Sequence, residues 1–279
     1  MSAPAVAGTA PRPSDEQVRV LPAESFAGRA VVVTGAGTGI GRATALRLVE
    51  LGATVHGVGR RGELLDGTRA RAADPQRLIV TPLDIRDRAA AAAFVRDLGP
   101  LDLLVNNAGG QFVAPASEIS VRGFGAVVDL NLTATAALIE AAYDGLAARG
   151  GRVVNLSLAN ADRGIAGLVH SSTARAAVIG LTGRLARQWR PAGVKLFCLV
   201  PGTVLTAGVG EELAGTVLGA AIEAGLLRRD TSVAEVAEWI AALGSGMFDA
   251  ASGSVVEIDG GASLTDATSV LLGQRSAHG

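Results

Sequence analysis

From Ala30 onward, short apolar runs rich in valine and leucine alternate with longer segments of helical periodicity. Each apolar run is as long as one buried strand, and the segments between them are long enough for crossover helices. This alternation predicts a doubly wound α/β fold with a parallel sheet covered by helices on both faces. The predicted strands are Arg29–Thr34, Ala53–Val58, Leu78–Pro82, Leu101–Asn106, Gly151–Leu156, Val194–Val200 and Val255–Ile258. Helices are predicted at Gly39–Leu51, as two stretches within Ser120–Arg149, and at His170–Arg190.

The composition of the 279-residue chain favours one globular domain, because 49% of the residues are hydrophobic and 18% are charged. A net charge of −1 gives no basic surface for nucleic acid, and the apolar runs are strand-sized, so we expect no membrane span.

Cys198 is the only cysteine, which excludes an internal disulfide and a cysteine metal site and favours the cytoplasm. Residues 1–24, rich in Ala, Pro and Ser, are predicted to form a flexible arm, and residues 25–279 the domain.

A glycine-rich turn follows the first predicted strand and opens the first predicted helix. It reads Thr34-Gly35-Ala36-Gly37-Thr38-Gly39-Ile40-Gly41. Glycines let the backbone approach a pyrophosphate, and the helix N-terminus offers free N–H groups to it. The position of the turn, between a strand and a helix, therefore predicts a dinucleotide site in a Rossmann-type fold.

Further motifs follow this turn along the chain: Asp84, Asn106-Asn107-Ala108-Gly109, Asn131, and Pro201-Gly202 followed by Thr206. In this order and spacing they resemble the short-chain dehydrogenase/reductase superfamily over about residues 28–265. The resemblance implies a nicotinamide dinucleotide as cofactor and assembly into dimers or tetramers through the long helices. It also implies a cofactor-binding set made up of Gly35, Thr38, Gly39, Ile40, Gly41, Asp84, Ile85, Asn107, Ala108, Gly109, Arg175, Pro201, Gly202, Val204 and Thr206.

The choice of cofactor is read at the end of the second strand. An acidic residue there would bind the ribose hydroxyls and repel a 2′-phosphate. This chain has Arg60 and Arg61 instead. Guanidinium groups suit a phosphate by charge and by bidentate geometry, so we expect NADP(H).

The catalytic residues usual in the superfamily are missing. Its Tyr and Lys positions fall on Ser171 and Arg175, and its Ser position falls on Leu158, one residue after Ser157. An arginine can hold ribose hydroxyls, but its pKa is too high for a proton relay. Ordinary ketone reduction by the family mechanism is therefore not expected.

A narrower resemblance accounts for this loss. Residues 106–112, reading NNAGGQF, and His170-Ser171 with Arg175 are similar to the peroxisomal trans-2-enoyl-CoA reductases, and 2,4-dienoyl-CoA reductases are similar in these segments. The resemblance implies reduction of a double bond conjugated to an acyl thioester, with a small-molecule acyl thioester as substrate.

Such a reduction forms an enolate, which needs hydrogen-bond donors and later a proton at Cα. We expect Ser171, Ser157 and Arg175 to donate hydrogen bonds and His170 to give the proton, with Asp162 as a fallback acid. Asn131 falls on the position of the family's helix-kink asparagine.

Two alternatives stay open. The chain could be a catalytically silent cofactor-binding subunit of a hetero-oligomer with an active paralogue. It could also catalyse a non-redox isomerisation or cyclisation, because a fold does not determine its chemistry.

Overall fold

The computed structural model describes residues 18–159, 161, 167–202, 204, 206 and 231–261. In this part of the chain, seven strands form one parallel sheet of order β3-β2-β1-β4-β5-β6-β7. The seven-stranded Rossmann-type sheet expected from the sequence is therefore confirmed. The strands are β1 Ala30–Thr34, β2 Thr54–Gly59, β3 Leu78–Pro82, β4 Leu103–Asn106, β5 Arg152–Leu156, β6 Lys195–Pro201 and β7 Val255–Ile258.

Eight α-helices are present in the described residues, and they cover both faces of the sheet. Helices α1 and α8 pack on the face to which Val31 and Val33 point, and α3, α5 and α7 pack on the face of Val32. Successive strand side chains point to opposite faces, so a strand covered on both sides must be apolar throughout. The helices are α1 Gly39–Glu50, α2 Gly62–Arg69, α3 Arg88–Asp97, α4 Val121–Val128, α5 Ala134–Ala141, α6 Tyr143–Arg149, α7 Val169–Trp189 and α8 Val233–Ser245.

The strand order reverses at β1, which pairs with β2 on one side and with β4 on the other. The connections that leave these strands diverge and open a crevice at their carboxyl ends. In open α/β sheets this is where ligands bind.

One sequence expectation was wrong, because not every apolar segment is strand-sized. Helix α4 runs through a π-helical turn, Asp129–Thr133, into α5, and an 18-residue stretch within the 21 residues Val121–Ala141 reaches a mean hydropathy of 1.3. By length and composition alone this helix could cross a membrane, a test that core helices of soluble proteins also pass. Of that 18-residue stretch, 39% is buried in the chain itself.

The expected flexible arm needs a correction at its described end. The backbone amides of Val20 and Leu21 both donate to Glu238 on α8, at 2.8 Å each, and Leu21 is buried. Arg47 neutralises the carboxylate at 2.7 Å. Residues 20 and 21 are therefore docked on the domain. Residues 1–17, Asp162 and the segment 207–230 lie outside the described residues.

Candidate cofactor and active site

The glycine turn between β1 and α1 has no room for side chains. Gly35 and Gly39 have positive φ angles of 71° and 51°. A Cβ on Gly41 would lie 2.2 Å from the Gly35 carbonyl oxygen, and one on Gly39 would lie 3.0 Å from the Thr206 methyl group. Glycine is thus required by backbone conformation and by close approach, as a pyrophosphate cradle demands.

Two side chains that sequence reasoning missed fasten this turn to α2. The hydroxyl of Thr68 donates to the Ala36 carbonyl at 3.0 Å, and Arg42 donates to Thr68 and to the Gly37 carbonyl. Neither residue belongs to a recognisable sequence motif, because the hydrogen bonds between them form only when α2 packs beside the turn. They hold the turn in the shape that exposes its N–H groups.

A second loop, after β4, closes the other side of the cleft. The Asn107 side chain donates to the Thr34 carbonyl at 2.9 Å, and the amides of Asn107 and Ala108 donate to the Thr34 hydroxyl. Asn131, in the π-helical turn, exchanges two hydrogen bonds with the Gly110 backbone, at 3.0 and 2.9 Å. The buried Asn131 side chain is therefore committed to shaping this loop.

Charged side chains gather at the end of the cleft expected to hold the adenosine. Arg60 and Arg61 lie there with Asp84 and Arg86. Hydrogen bonds from Arg86 are the main reason why the pKa of the Asp84 carboxyl is lowered, and the charge of Arg60 adds to this. Asp84 is therefore ionised at neutral pH.

Arg175 reaches from α7 to the floor of the cleft. Its Nη1 donates to the Leu156 carbonyl at 2.7 Å, and its Nη2 lies so close to Gly109 that a Cβ there would be 2.1 Å away. Burial lowers the pKa of Arg175 to about 10, and in the described residues no carboxylate pairs with it. Arg175 thus remains a fixed cation at physiological pH.

The hydroxyl of Ser157 donates to the Arg175 backbone carbonyl at 2.9 Å. It ties the end of β5 to α7 and has given its only proton to that bond. Although Ser157 lines the cleft, the structure shows it as a support for α7, which corrects the expectation that it donates to substrate.

Ser171 occupies the first turn of α7 and is fully buried. Its hydroxyl donates to Oε1 of Gln111 at 2.6 Å. Gln111 lines the cleft, whereas Ser171 is not among the described lining residues. The structure therefore places Gln111 between Ser171 and the cleft, and sequence reasoning assigned Gln111 no role of its own.

His170 also lies behind the cleft wall. Its ring is fully buried against Phe112, with centroids 4.3 Å apart, and neither nitrogen makes a hydrogen bond of ordinary geometry with another described residue. Burial lowers the pKa of His170, and the nearby Phe112 carbonyl opposes this shift in part. The imidazole is neutral at pH 7 and is not among the described lining residues, so the structure argues against the expected proton donor.

The described residues enclose a cleft of about 780 Å³ at the carboxyl ends of the strands. Most of the residues named from the sequence meet there, whereas Gly41, Asn131, His170 and Ser171 stand behind its wall. A dinucleotide fits this donor set, because the glycine turn provides the bare backbone and helix N-terminus that a pyrophosphate needs. The sequence-predicted residues that line the cleft are Gly35, Thr38, Gly39, Ile40, Arg60, Arg61, Asp84, Ile85, Asn107, Ala108, Gly109, Ser157, Arg175, Pro201, Gly202, Val204 and Thr206.

Comparisons with known proteins agree with this geometry. The chain is 31% identical over 252 residues to a peroxisomal 2,4-dienoyl-CoA reductase of Danio rerio, covering 86% of this chain and 84% of the relative. It is 34% identical over 248 residues to a cis-4-hydroxycyclohexanecarboxylate dehydrogenase of Sinomonas cyclohexanicum, covering 85% and 98%.

A crystal structure assigned to an NAD(P) dependent gluconate 5-dehydrogenase of Beutenbergia cavernae, with NADP bound at low occupancy, is also similar. It matches with a TM-score of 0.78 and 31% identity, over 88% of this chain and all of the other. The model of the family described as short chain dehydrogenase matches residues 29–216. With more than half of its length matched, the chain belongs to the short chain dehydrogenase family.

Proposed function

We propose that this protein uses NADPH to reduce a carbon–carbon double bond conjugated to a thioester. The observation that carries the proposal is the hydrogen bond from Ser171 to Gln111 Oε1. With the Ser171 hydroxyl on its amide oxygen, Gln111 keeps both of its N–H groups to donate to a ligand in the cleft. A donor at this place suits a thioester oxygen that becomes an enolate.

The family resemblance places Leu158, Ser171 and Arg175 where Ser, Tyr and Lys usually stand. Ketone reduction creates an alkoxide and needs an acid at that oxygen, but Ser171 is buried and its proton is used. Conjugate addition at Cβ places the negative charge on the thioester oxygen, which needs donors and positive charge rather than an immediate proton. The relative named as a dienoyl-CoA reductase supports this class of substrate.

Arg175 serves two roles in this proposal. Its guanidinium has five N–H donors, of which Nη1 uses one on Leu156, so others are free to hold the nicotinamide ribose hydroxyls. Its charge on the cleft floor also stabilises the developing enolate, since charges act more strongly away from water. Bound NADPH supplies the hydride.

The proton at Cα comes from water in this proposal. The described lining of the cleft contains no group with a suitable pKa, because Asp84 is ionised and lies at the adenosine end. An enolate in contact with water is protonated without a dedicated acid.

The cleft has an apolar arm beyond the dinucleotide positions. Phe112 and the helix α4 residues Gly123, Ala126 and Val127 line it. A Cβ on Gly123 would be 3.2 Å from the Phe112 ring, so glycine allows ring and helix to pack closely. This apolar part of the cleft lining supports a substrate with an apolar chain, such as an acyl thioester on coenzyme A or a carrier protein.

Cofactor choice is tested by the substitution Arg60→Ala. A charge-assisted hydrogen bond contributes roughly 1.5–3 kcal/mol, so the Kd for NADPH should rise about 10- to 100-fold while that for NADH hardly changes. The solved relative with bound NADP supports this assignment. Equal or tighter binding of NADH by the unmodified protein would contradict it.

Reaction class is tested by NADPH oxidation with a panel of 2-enoyl-CoAs, ketones and alcohols. With deuterated NADPH, the label should appear at C3 of the saturated product, and solvent deuterium at C2. Reduction of ketones at a comparable kcat/KM would overturn the proposal.

The silent-subunit alternative is favoured by the burial of Ser171 and His170. It predicts NADPH binding without turnover of any compound in the panel, and co-purification with a paralogue that carries the complete catalytic residues. A product formed without change in NADPH absorbance would indicate non-redox chemistry instead.

A further inference from the structure

Among the described residues that line the cleft, Asp84 is the only carboxylate. It stands at the adenosine end together with Arg60, Arg61 and Arg86. A bare carboxylate at this place repels a phosphate, as an acidic residue does after the second strand. The charge of Asp84 therefore bears directly on which cofactor is accepted.

Arg86 holds Asp84 in a closed pair. Its Nε donates to both carboxylate oxygens, at 3.0 and 3.1 Å, and its Nη2 donates to Oδ2 at 2.5 Å. The Arg86 backbone amide adds a fourth bond to Oδ1, at 3.0 Å. The two residues are only two positions apart in the sequence, so the loop after β3 builds the whole arrangement locally.

This pairing leaves two cations outside it, Arg61 and Arg60, and the one whose charge acts on Asp84 is Arg60. It makes no ion pair within 4 Å in the described part of the chain, although its charge is near enough to lower the pKa of Asp84. If Arg86 were absent, Asp84 would be an unpaired anion within electrostatic reach of Arg60. Pairing between them would remove a phosphate ligand and leave less net positive charge at this end.

We propose that Arg86 is a positioning residue for cofactor specificity, which neutralises Asp84 and so keeps Arg60 available for the 2′-phosphate. The proposal rests on the NADP(H) preference proposed above. Arg88, two residues along, offers a matched control, because it pairs with Asp129 at 3.1 Å and is not among the described lining residues.

The test measures Kd for NADPH and for NADH, by quenching of tryptophan fluorescence, without any substrate. The proteins are the parent, Arg86→Gln, the double variant Asp84→Asn/Arg86→Gln, and Arg88→Gln. For partly exposed charges in water, we expect Arg86→Gln to weaken NADPH binding about three- to tenfold and NADH binding by less than about twofold. The double variant should recover most of the preference for NADPH, and Arg88→Gln should keep it.

Each other outcome overturns the inference in a distinct way. An equal loss of NADPH and NADH affinity in Arg86→Gln would show a merely structural role. Failure of the double variant to recover would show that Arg86 contacts the phosphate directly. If the parent itself prefers NADH, the proposed preference for NADP(H) is wrong, and the role of Arg86 fails with it. Reduction of enoyl thioesters is measured in a separate experiment and is not decided by this result. Thermal melting of each variant shows that it is folded.

Discussion

The guanidinium of Arg175 lies directly beneath Gly109, where a Cβ would be 2.1 Å from Nη2. Asn131 Oδ1 would be 2.8 Å from the same Cβ. A single missing methyl group thus allows a cation from α7 to reach the loop after β4. The relationship makes Gly109 a sensitive point for testing the site.

Gly109→Ala should displace the guanidinium and weaken NADPH binding by about tenfold or more, because the new Cβ requires Arg175 to move away from the cleft floor. The measurement is the Kd for NADPH by titration. Gly67→Ala on α2 is the control, since no atom lies within 4 Å of its Cβ and the change should raise stability by about 0.5–1 kcal/mol. Unchanged NADPH affinity in Gly109→Ala would contradict the proposed role of Arg175.

Arg175→Lys should introduce an alkaline limb in the pH dependence of kcat. The pKa of Arg175 is lowered to about 10, so the parent keeps its cation, and its rate, up to about pH 9. Burial lowers the pKa of a lysine from a smaller starting value, roughly 10.4, so the variant loses its charge and rate at lower pH. Rates between pH 6.5 and 9.5 check this, and an alkaline limb at the same pH in both proteins would count against Arg175 as the essential cation.

Ser171→Ala should lower kcat by about tenfold or more with a smaller effect on NADPH affinity, because Gln111 loses the bond that orients its amide. The comparison is Thr173→Ala, which removes a hydroxyl from an exposed position on the same helix, where it donates to the Val169 carbonyl. Steady-state kinetics with a 2-enoyl-CoA separate kcat from KM. If both alanine variants behave like the parent, Gln111 does not depend on Ser171.

His170→Leu should leave kcat within a few-fold and improve stability in acid. The folded-state pKa of His170 is lowered by burial, so below the unfolded value of about 6.5 the unfolded chain takes up more protons and the folded state loses stability. Between pH 7 and pH 5, the melting temperature should therefore fall less in the variant than in the parent. His56, whose pKa is also lowered by burial, contributes equally in both proteins. A large loss of kcat, together with slower uptake of solvent deuterium at C2, would restore His170 as the acid.

The surface of α7 predicts a dimer with a second copy of this chain. Gly180 and Gly183 are exposed with open space at their Cβ positions, and the long apolar helix Val121–Ala141 has exposed apolar positions at Val121 and Ala126. Smooth faces of this kind pack closely against a second copy. Light scattering at micromolar concentration should give a dimer or tetramer, and Gly183→Arg should give smaller species. A purely monomeric parent protein would contradict this prediction.

Some features were predictable because they depend on local pattern. The strand bounds of β3 and β7 agree with the structure, and the other strand ends shift by one or two residues. A buried parallel strand must be apolar on both faces, so it stands out in a sequence. The glycine turn was predictable for a similar reason, since its conformation needs particular residues at fixed spacing.

Side-chain direction was decided only by the tertiary structure. His170 and Ser171 are neighbours of Arg175 on one helix, yet they face the loop at Gln111 and Phe112 while Arg175 faces the cleft. A sequence records that these groups are close along the chain, but the packing of α7 on that loop determines which of them meets a ligand. The sequence alone thus determined the sheet, the family and the cofactor turn. Which polar groups are free for chemistry depended on hydrogen bonds between segments distant in sequence, which no local pattern encodes.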